Sequence, residues 1–321
     1  MLRRFFSILI FAFVCYGGFS YTKEEVMKWE SKSTAFYGGE FHQEVLAKVH
    51  TFEGKPKDFL MAFDECYDYK NHQLTREEEK LFLEYFSYMP ETFQKCFKED
   101  VFAIYFVEGM WYGALTDFIF DETGRMYCTI FFNIDLFRKN LSEWFEHRDN
   151  TIFIKTDGDN KLKVECNTEY KALLHTLIHE TAHVYDYTRQ MTPYCDSMEE
   201  EGKTESAYFQ VWKDMHHPVK KYDSPLLSEF SFYYFGKQIP YSKGKKLIKY
   251  LSTTPFSSLY GAKNWMDDFA ETVTLYYLNK SFGINYKVTY VYKGKEVLSY
   301  SYEENKNVRM WDFMCRYVTG K

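Results

Sequence analysis

Proline is scarce in this chain, seven in 321 residues, while Phe and Tyr together number sixty (31 and 29), so intrinsic disorder is set aside. No internal repeat and no low-complexity tract is present, which removes solenoid and linker architectures. A basic excess is also missing: 40 Lys and Arg stand against 46 Asp and Glu, for a net charge of −6. That balance argues against a nucleic-acid partner, which needs a positive surface. After the first twenty residues no apolar run is long enough to cross a bilayer. The length suits one large domain or two modest ones.

The amino terminus reads as an export signal. Arg3 and Arg4 form a basic start, Phe5–Tyr16 is an apolar run too short to span comfortably, and Gly18-Phe19-Ser20 offers a small-x-small exit. Cleavage is expected after Ser20, giving an exported (periplasmic or secreted) mature chain with no transmembrane segment; lipidation at Cys15 and an uncleaved anchor are the alternatives. Six cysteines remain, Cys66, Cys96, Cys128, Cys166, Cys195 and Cys315. Their even number permits disulfides in an exported chain, but none pairs as C-x-x-C, and separate buried thiols fit equally well.

Helical spacing dominates the first part of the mature chain. Glu40–His50, Lys57–Tyr69, Thr75–Tyr88 and Glu91–Lys98 read as helices, the third opened by the capping-box pair Thr75 and Glu78. Val101–Val107, Leu115–Asp121 and Arg125–Asn133 then read as strands, the last two a hairpin around Asp121–Gly124. Asp135–Arg148 returns to helix, and Thr151–Lys155 and Lys161–Cys166 read as strands flanking the turn at Asp157–Asn160. The tail offers a hairpin, Tyr286–Tyr292 with Glu296–Tyr302, and a closing helix over Asn305–Val318. Helices, then a strand block, then a further long helix make an α+β order. An exposed strand edge in that block is one way to hold an extended peptide.

That long helix, Thr168–Tyr187, carries His179-Glu180-Thr181-Ala182-His183, the H-E-x-x-H pattern. Residues four apart share a helix face, so both imidazoles can grip one metal ion, and zinc suits two nitrogens with a carboxylate and a water. Glu180 can take a proton from that water as it attacks a carbonyl. Leu173, Leu174, Leu177, Ile178 and Ala182 give the helix an apolar side, Thr168 is a candidate N-cap, and no proline or glycine interrupts it. An ordinary amphipathic helix with two chance histidines is the bland alternative. His216-His217-Pro218 reads as a loop rather than as ligands. Ser231–Phe235, an aromatic run, reads as core packing ahead of a cleft lining.

A working zinc needs a third protein ligand. Ser258–Asn279 is the best source: Asn264 can cap a helix on which Asp267 and Glu271, four apart, share a face. One carboxylate can bind the metal while the other supports a histidine ligand from behind. An acidic first turn that merely suits the helix dipole is the alternative for Asp267 and Asp268.

The pairing of H-E-x-x-H with Tyr260-Gly261-x-x-Asn264-x-x-Asp267-x-Phe269-Ala270-Glu271 resembles the catalytic domain of anthrax lethal factor and its relatives, zinc metallopeptidases of the gluzincin type. His183-Val-Tyr-Asp186-Tyr187 matches that family's continuation as well. The resemblance spans the strand block to about residue 280 and is sharp only in the two helices. It implies a zincin-like metallopeptidase domain with a small mixed sheet and an active-site helix. It also implies His179, His183 and Asp267 as zinc ligands, Glu180 as base, Tyr260 facing the reaction, and Glu271 behind the ligands. Asp186, one turn after His183, can steady the site from behind or pair with a surface base. The family's third ligand is usually Glu. Asp is one methylene shorter, so either the second helix comes closer or Glu271 binds instead.

The expected organisation is therefore a signal peptide over 1–20, a helical region over 21–98, a metallopeptidase domain over 99–283 with an insertion near 189–255, and a hairpin with closing helix over 284–321. The expected activity is zinc-dependent endopeptidase action on a protein or peptide, with Tyr260 stabilising the oxyanion. The rival is a secreted zinc-binding protein that holds a partner on the same scaffold without turnover.

Overall fold

The computed structural model describes residues 23–193 and 207–321. The expected export signal and Cys195 lie outside the described residues. The chain is mixed α+β with small sheets, and by contact it forms two units. The chain passes between them several times, so this grouping differs in kind from the linear regions read from sequence. The first unit takes the described chain up to Glu84, Gln94–Asp135 and a stretch that begins at Val184. The second takes Tyr85–Phe93, Leu136–His183 and the described chain from 207 to the end.

In the first unit two single-turn helices, Lys23–Val26 and Thr34–Tyr37, precede α1 (Gly54–Phe63). The strands are β1 (Lys70–Asn71), β2 (Val101–Glu108), β3 (Ala114–Phe120) and β4 (Met126–Asn133), in the order β1-β2-β4-β3. β3 and β4 form the expected hairpin, with Phe120 opposite Met126, while β2 runs parallel to β4. Their near-continuous apolar sequences explain this, because a strand covered on both faces has no polar side to show. Tyr105 stacks on Phe131 at 4.9 Å on one face, and Phe106 on Phe132 at 5.8 Å on the other. Helices α2 (Arg76–Tyr88) and α3 (Glu91–Asp100) carry the chain from one unit to the other and back. The capping box of α2 is present, with Glu78 accepting from the Thr75 N–H and Thr75 accepting from the Glu78 N–H. Glu40–His50 is not an α-helix: it holds only a 3-10 turn at Leu46–Lys48. His50 N–H donates to the Ile104 carbonyl, so an extended segment alongside β2 wins over local helical spacing.

The second unit opens with α4 (Leu141–Asn150), capped by Asn140 with Glu143 in a full capping box, and followed by β5 (Lys161–Cys166). Helix α5 (Ala172–Arg189) carries the metal motif and begins at Ala172 rather than Thr168, whose hydroxyl accepts from Tyr170 N–H in the turn before it. A two-stranded ribbon, β6 (Trp212–Asp214) with β7 (His217–Pro218), follows. Then come α6 (Gly244–Ser252), α7 (Trp265–Phe282), β8 (Tyr286–Tyr292), β9 (Lys295–Ser301) and α8 (Asp312–Thr319). Thr151–Lys155 is not a strand. It makes a single bridge, Phe153 to Ile239, and β5 pairs instead with β8 in the sheet β5-β8-β9. Alternating burial on β5 and complementary burial on β8 favour that pairing over a local hairpin across the Asp157 turn. The closing helix is split, with a 3-10 turn over Lys306–Trp311 before α8.

Helix α7 has no single apolar face: every residue from Asp268 to Leu278 is buried. Gly283, left-handed at φ 65°, ends it, a conformation that glycine adopts without cost. Among the described residues no helix is long and apolar enough to cross a membrane, and Cys66, Cys96, Cys128, Cys166 and Cys315 are free thiols. At the start of α6, a side chain on Gly244 would meet the Tyr290 ring at 2.8 Å, and that ring is held by stacking on Tyr241 at 4.9 Å. Gly244→Ala should therefore destabilise by about 1–3 kcal/mol through overpacking, read as a lower urea midpoint at unchanged slope.

Candidate metal centre

α5 sets three imidazoles in a row along one side, at positions 175, 179 and 183. His175 and His179 stack at 5.5 Å between centroids, and His179 and His183 meet edge to face at 4.8 Å. The rest of the helix is anchored by Leu173, Leu174, Leu177, Ile178 and Ala182, all wholly buried. Thr181 donates back to the Leu177 carbonyl at 2.7 Å, which satisfies its hydroxyl within the helix. The histidine side is nearly as dry: His175, His179, Glu180 and His183 each keep 4–8% of their surface. Burial pushes His175 down to about 3, with the charges of His179 and Arg148 acting the same way and Glu271 opposing.

α7 brings two carboxylates to that row. Asn264 caps it, its side-chain oxygen accepting from the Asp267 N–H at 2.8 Å. The amide nitrogen of the same cap donates to Asp267 Oδ2 at 2.6 Å. Asp267 Oδ1 lies 3.4 Å from His183 Nε2 and 3.7 Å from His179 Nε2, and those two nitrogens are 3.2 Å apart. Burial alone would raise Asp267. The adjacent imidazoles of His179 and His183 outweigh it and hold the carboxyl well below the usual range. One turn on, Glu271 points Oε1 to the other side of His179, 3.7 Å from Nδ1, and lies 3.5 Å from His175 Nε2. Arg148, from α4, donates to that same oxygen at 2.6 Å.

These residues make two groups with metal-holding geometry: His179, His183 and Asp267, and His175, His179 and Glu271. A tetrahedral ion with bonds of about 2.0–2.1 Å keeps its ligand atoms about 3.3–3.4 Å apart. The first group, with edges of 3.2, 3.4 and 3.7 Å, brackets that figure, and only its longest edge would have to shorten by a few tenths of an ångström. In the second, Glu271 is already paired with the Arg148 guanidinium, so the first group is the better candidate. No family model, curated protein or solved structure matches the chain. The geometry and the motifs therefore stand by themselves.

The other expected residues fall as follows. Tyr260 places its ring 6.0 Å from His179, between Phe232 at 5.1 Å and Tyr233 at 6.1 Å. Burial, then the negative charges of Asp267 and Glu180, push its hydroxyl well above the ordinary tyrosine value, so it stays protonated. Ser231–Phe235 is thus both core and site wall, with Phe232 and Tyr233 inward and Tyr234 and Phe235 exposed. Tyr233 and Tyr234 both hold positive φ, 56° and 65°, a strained pair next to the site. Asp186 belongs to the other unit, where its carboxylate accepts from the Thr192 N–H at 2.6 Å and hydroxyl at 2.9 Å. His217 is exposed and bonded to Asp214, and neither it nor His216 joins a metal-holding group among the described residues. Two members went unread in the sequence. His175 carried a signal, another i−4 step along the same face; Arg148 carried none.

Asp268 is the buried acid of α7 that faces away from the histidines. Burial raises it to about 8, against hydrogen bonds from the Trp212 indole at 2.9 Å and the Thr272 hydroxyl, with Asp267 and Glu271 adding repulsion. Its folded value lies above the unfolded 3.8, so the folded state binds the extra proton and stability falls as pH rises from about 4 to 8. Asp268→Asn, which keeps an acceptor for the indole, should flatten that fall in urea melts of the metal-free protein at pH 5 and pH 8.

Proposed function

We propose that the chain is a zinc-dependent endopeptidase of the gluzincin type, built on a zincin-like arrangement and exported to act on protein or peptide substrates. One observation carries this reading: the two Nε2 atoms of the H-E-x-x-H pair and Asp267 Oδ1 converge with tetrahedral-edge spacing. His179, His183 and Asp267 are the metal ligands in this reading. Glu271 supports them instead, because its Oε1 takes the Arg148 hydrogen bond and lies on the Nδ1 side of His179, away from the Nε2 atoms.

When bound, zinc supplies Lewis-acid activation of a water and of a scissile carbonyl. Glu180, buried next to His179, takes the water's proton as the oxygen–carbon bond forms. It then delivers that proton to the amine nitrogen as the carbon–nitrogen bond breaks. The Tyr260 hydroxyl, held protonated, donates to the oxyanion of the tetrahedral intermediate. The dry walls given by Phe232 and Tyr233 strengthen both interactions by excluding water.

Glu180→Gln should lower peptide cleavage by about 10²–10⁴-fold while zinc content stays at one per chain. Unchanged turnover in that variant would overturn the enzyme reading. Asp267→Ala should lose zinc on dialysis, whereas wild type retains it; both are read by elemental analysis of the purified protein.

A further inference from the structure

Arg148 is 2% exposed; its guanidinium meets two carboxylates and lies 4.5 Å from the centroid of the Phe145 ring. Its Nη1 donates to Glu271 Oε1 at 2.6 Å, and its Nε to Asp149 Oδ1 at 2.9 Å. Asp149, wholly buried, accepts in turn from the Tyr286 hydroxyl of β8 through its second oxygen. The guanidinium carbon also lies 5.0 Å from the centroid of the Tyr260 ring. One cation and two anions are thus taken out of water together. Such a triad is a poor route to stability, because well-packed apolar residues of similar volume generally do as well or better. Its geometry points to another use. Glu271 Oε1, fixed by Arg148, is the anion that faces Nδ1 of His179, and His179 Nε2 is aimed at Asp267 and His183. An anion on the Nδ1 side favours the proton there and leaves the Nε2 lone pair for a metal.

We propose that Arg148 is a positioning residue for the metal centre: it pins Glu271 against His179 and so sets the tautomer and orientation of that ligand. The chain of contact runs from the sheet through Tyr286 and Asp149 to Arg148, then Glu271, then His179. Each link is buried, so the imidazole is oriented by the folded core rather than by exposed side chains. The same guanidinium already offsets the charge of Glu271 in the inner group formed by His175, His179 and Glu271, which favours metal at the outer one.

This inference rests on the metal reading above, and the test separates the two. Zinc affinity and the visible absorption spectrum of the cobalt-loaded protein are measured for wild type, Arg148→Gln, Glu271→Gln and the double variant. Wild type that binds neither metal overturns the metal reading itself. If wild type binds, Arg148→Gln should weaken zinc by about 10–100-fold and alter the cobalt spectrum. The double variant should bind no worse than Glu271→Gln alone, because Arg148 acts through Glu271. Wild-type affinity and spectrum in Arg148→Gln, or losses that multiply in the double variant, overturn the proposal. Should Arg148→Gln fail to fold with Glu271 left unpaired, the double variant against Glu271→Gln decides. Equal affinity supports the proposal, and a further tenfold loss overturns it.

Discussion

Two imidazole nitrogens and one carboxylate oxygen meet within 3.7 Å of one another in the second unit, and much of that unit is arranged to let them. The i, i+4 step on α5 fixes the distance between the nitrogens. The oxygen has to come from another helix, and Asp has a short side chain. So α7 must run close to α5, and it does so as a helix buried on every side instead of one laid on a surface. Its termini explain how such a helix is tolerated. Asn264 satisfies an N–H at one end, and Gly283 turns left-handed at the other and returns its own N–H to the Asn279 carbonyl.

Burying so many polar groups has a cost that is met locally. Each carboxylate on α7 is matched by a donor, from the helix's own cap or from another part of the same unit. Asp267 has Asn264 and the histidines, Asp268 has the indole of Trp212, and Glu271 has Arg148. These pairings make the centre a junction of α4, α5, α7 and the segment around β6. None of these elements would hold the three ligand atoms in place alone.

The elements that were legible in the sequence are those governed by local chemistry. The capping box at Thr75, the hairpin of β3 and β4, the hairpin of β8 and β9, and the Asn264 cap are all set by neighbours a few residues apart. The H-E-x-x-H helix and the carboxylate helix were legible for the same reason, since the spacing of side chains on a helix is a local property. What escaped depends on distant partners. The segment at 40–50 looks helical until β2 offers it an edge, and Thr151–Lys155 looks like a strand until β8 takes its place beside β5. Arg148 gave no sign at all: an arginine at the end of an amphipathic helix is ordinary, and only the fold turns it inward onto Glu271. The glutamate's own role was open between ligand and support, because spacing puts it on the same face as Asp267 and says nothing about which nitrogen of His179 it will meet.

The cap of α7 carries one more consequence. Asn264 uses its oxygen to start the helix and its amide nitrogen to hold Oδ2 of Asp267. The carboxylate therefore arrives with one of its two lone-pair-bearing ends already engaged. That engagement favours a single point of attachment for a cation at Oδ1 over a chelating bite. A helix-initiating residue thus bears on how the carboxylate three positions later would meet a cation, and on how much of that ion's surroundings would stay open to incoming molecules.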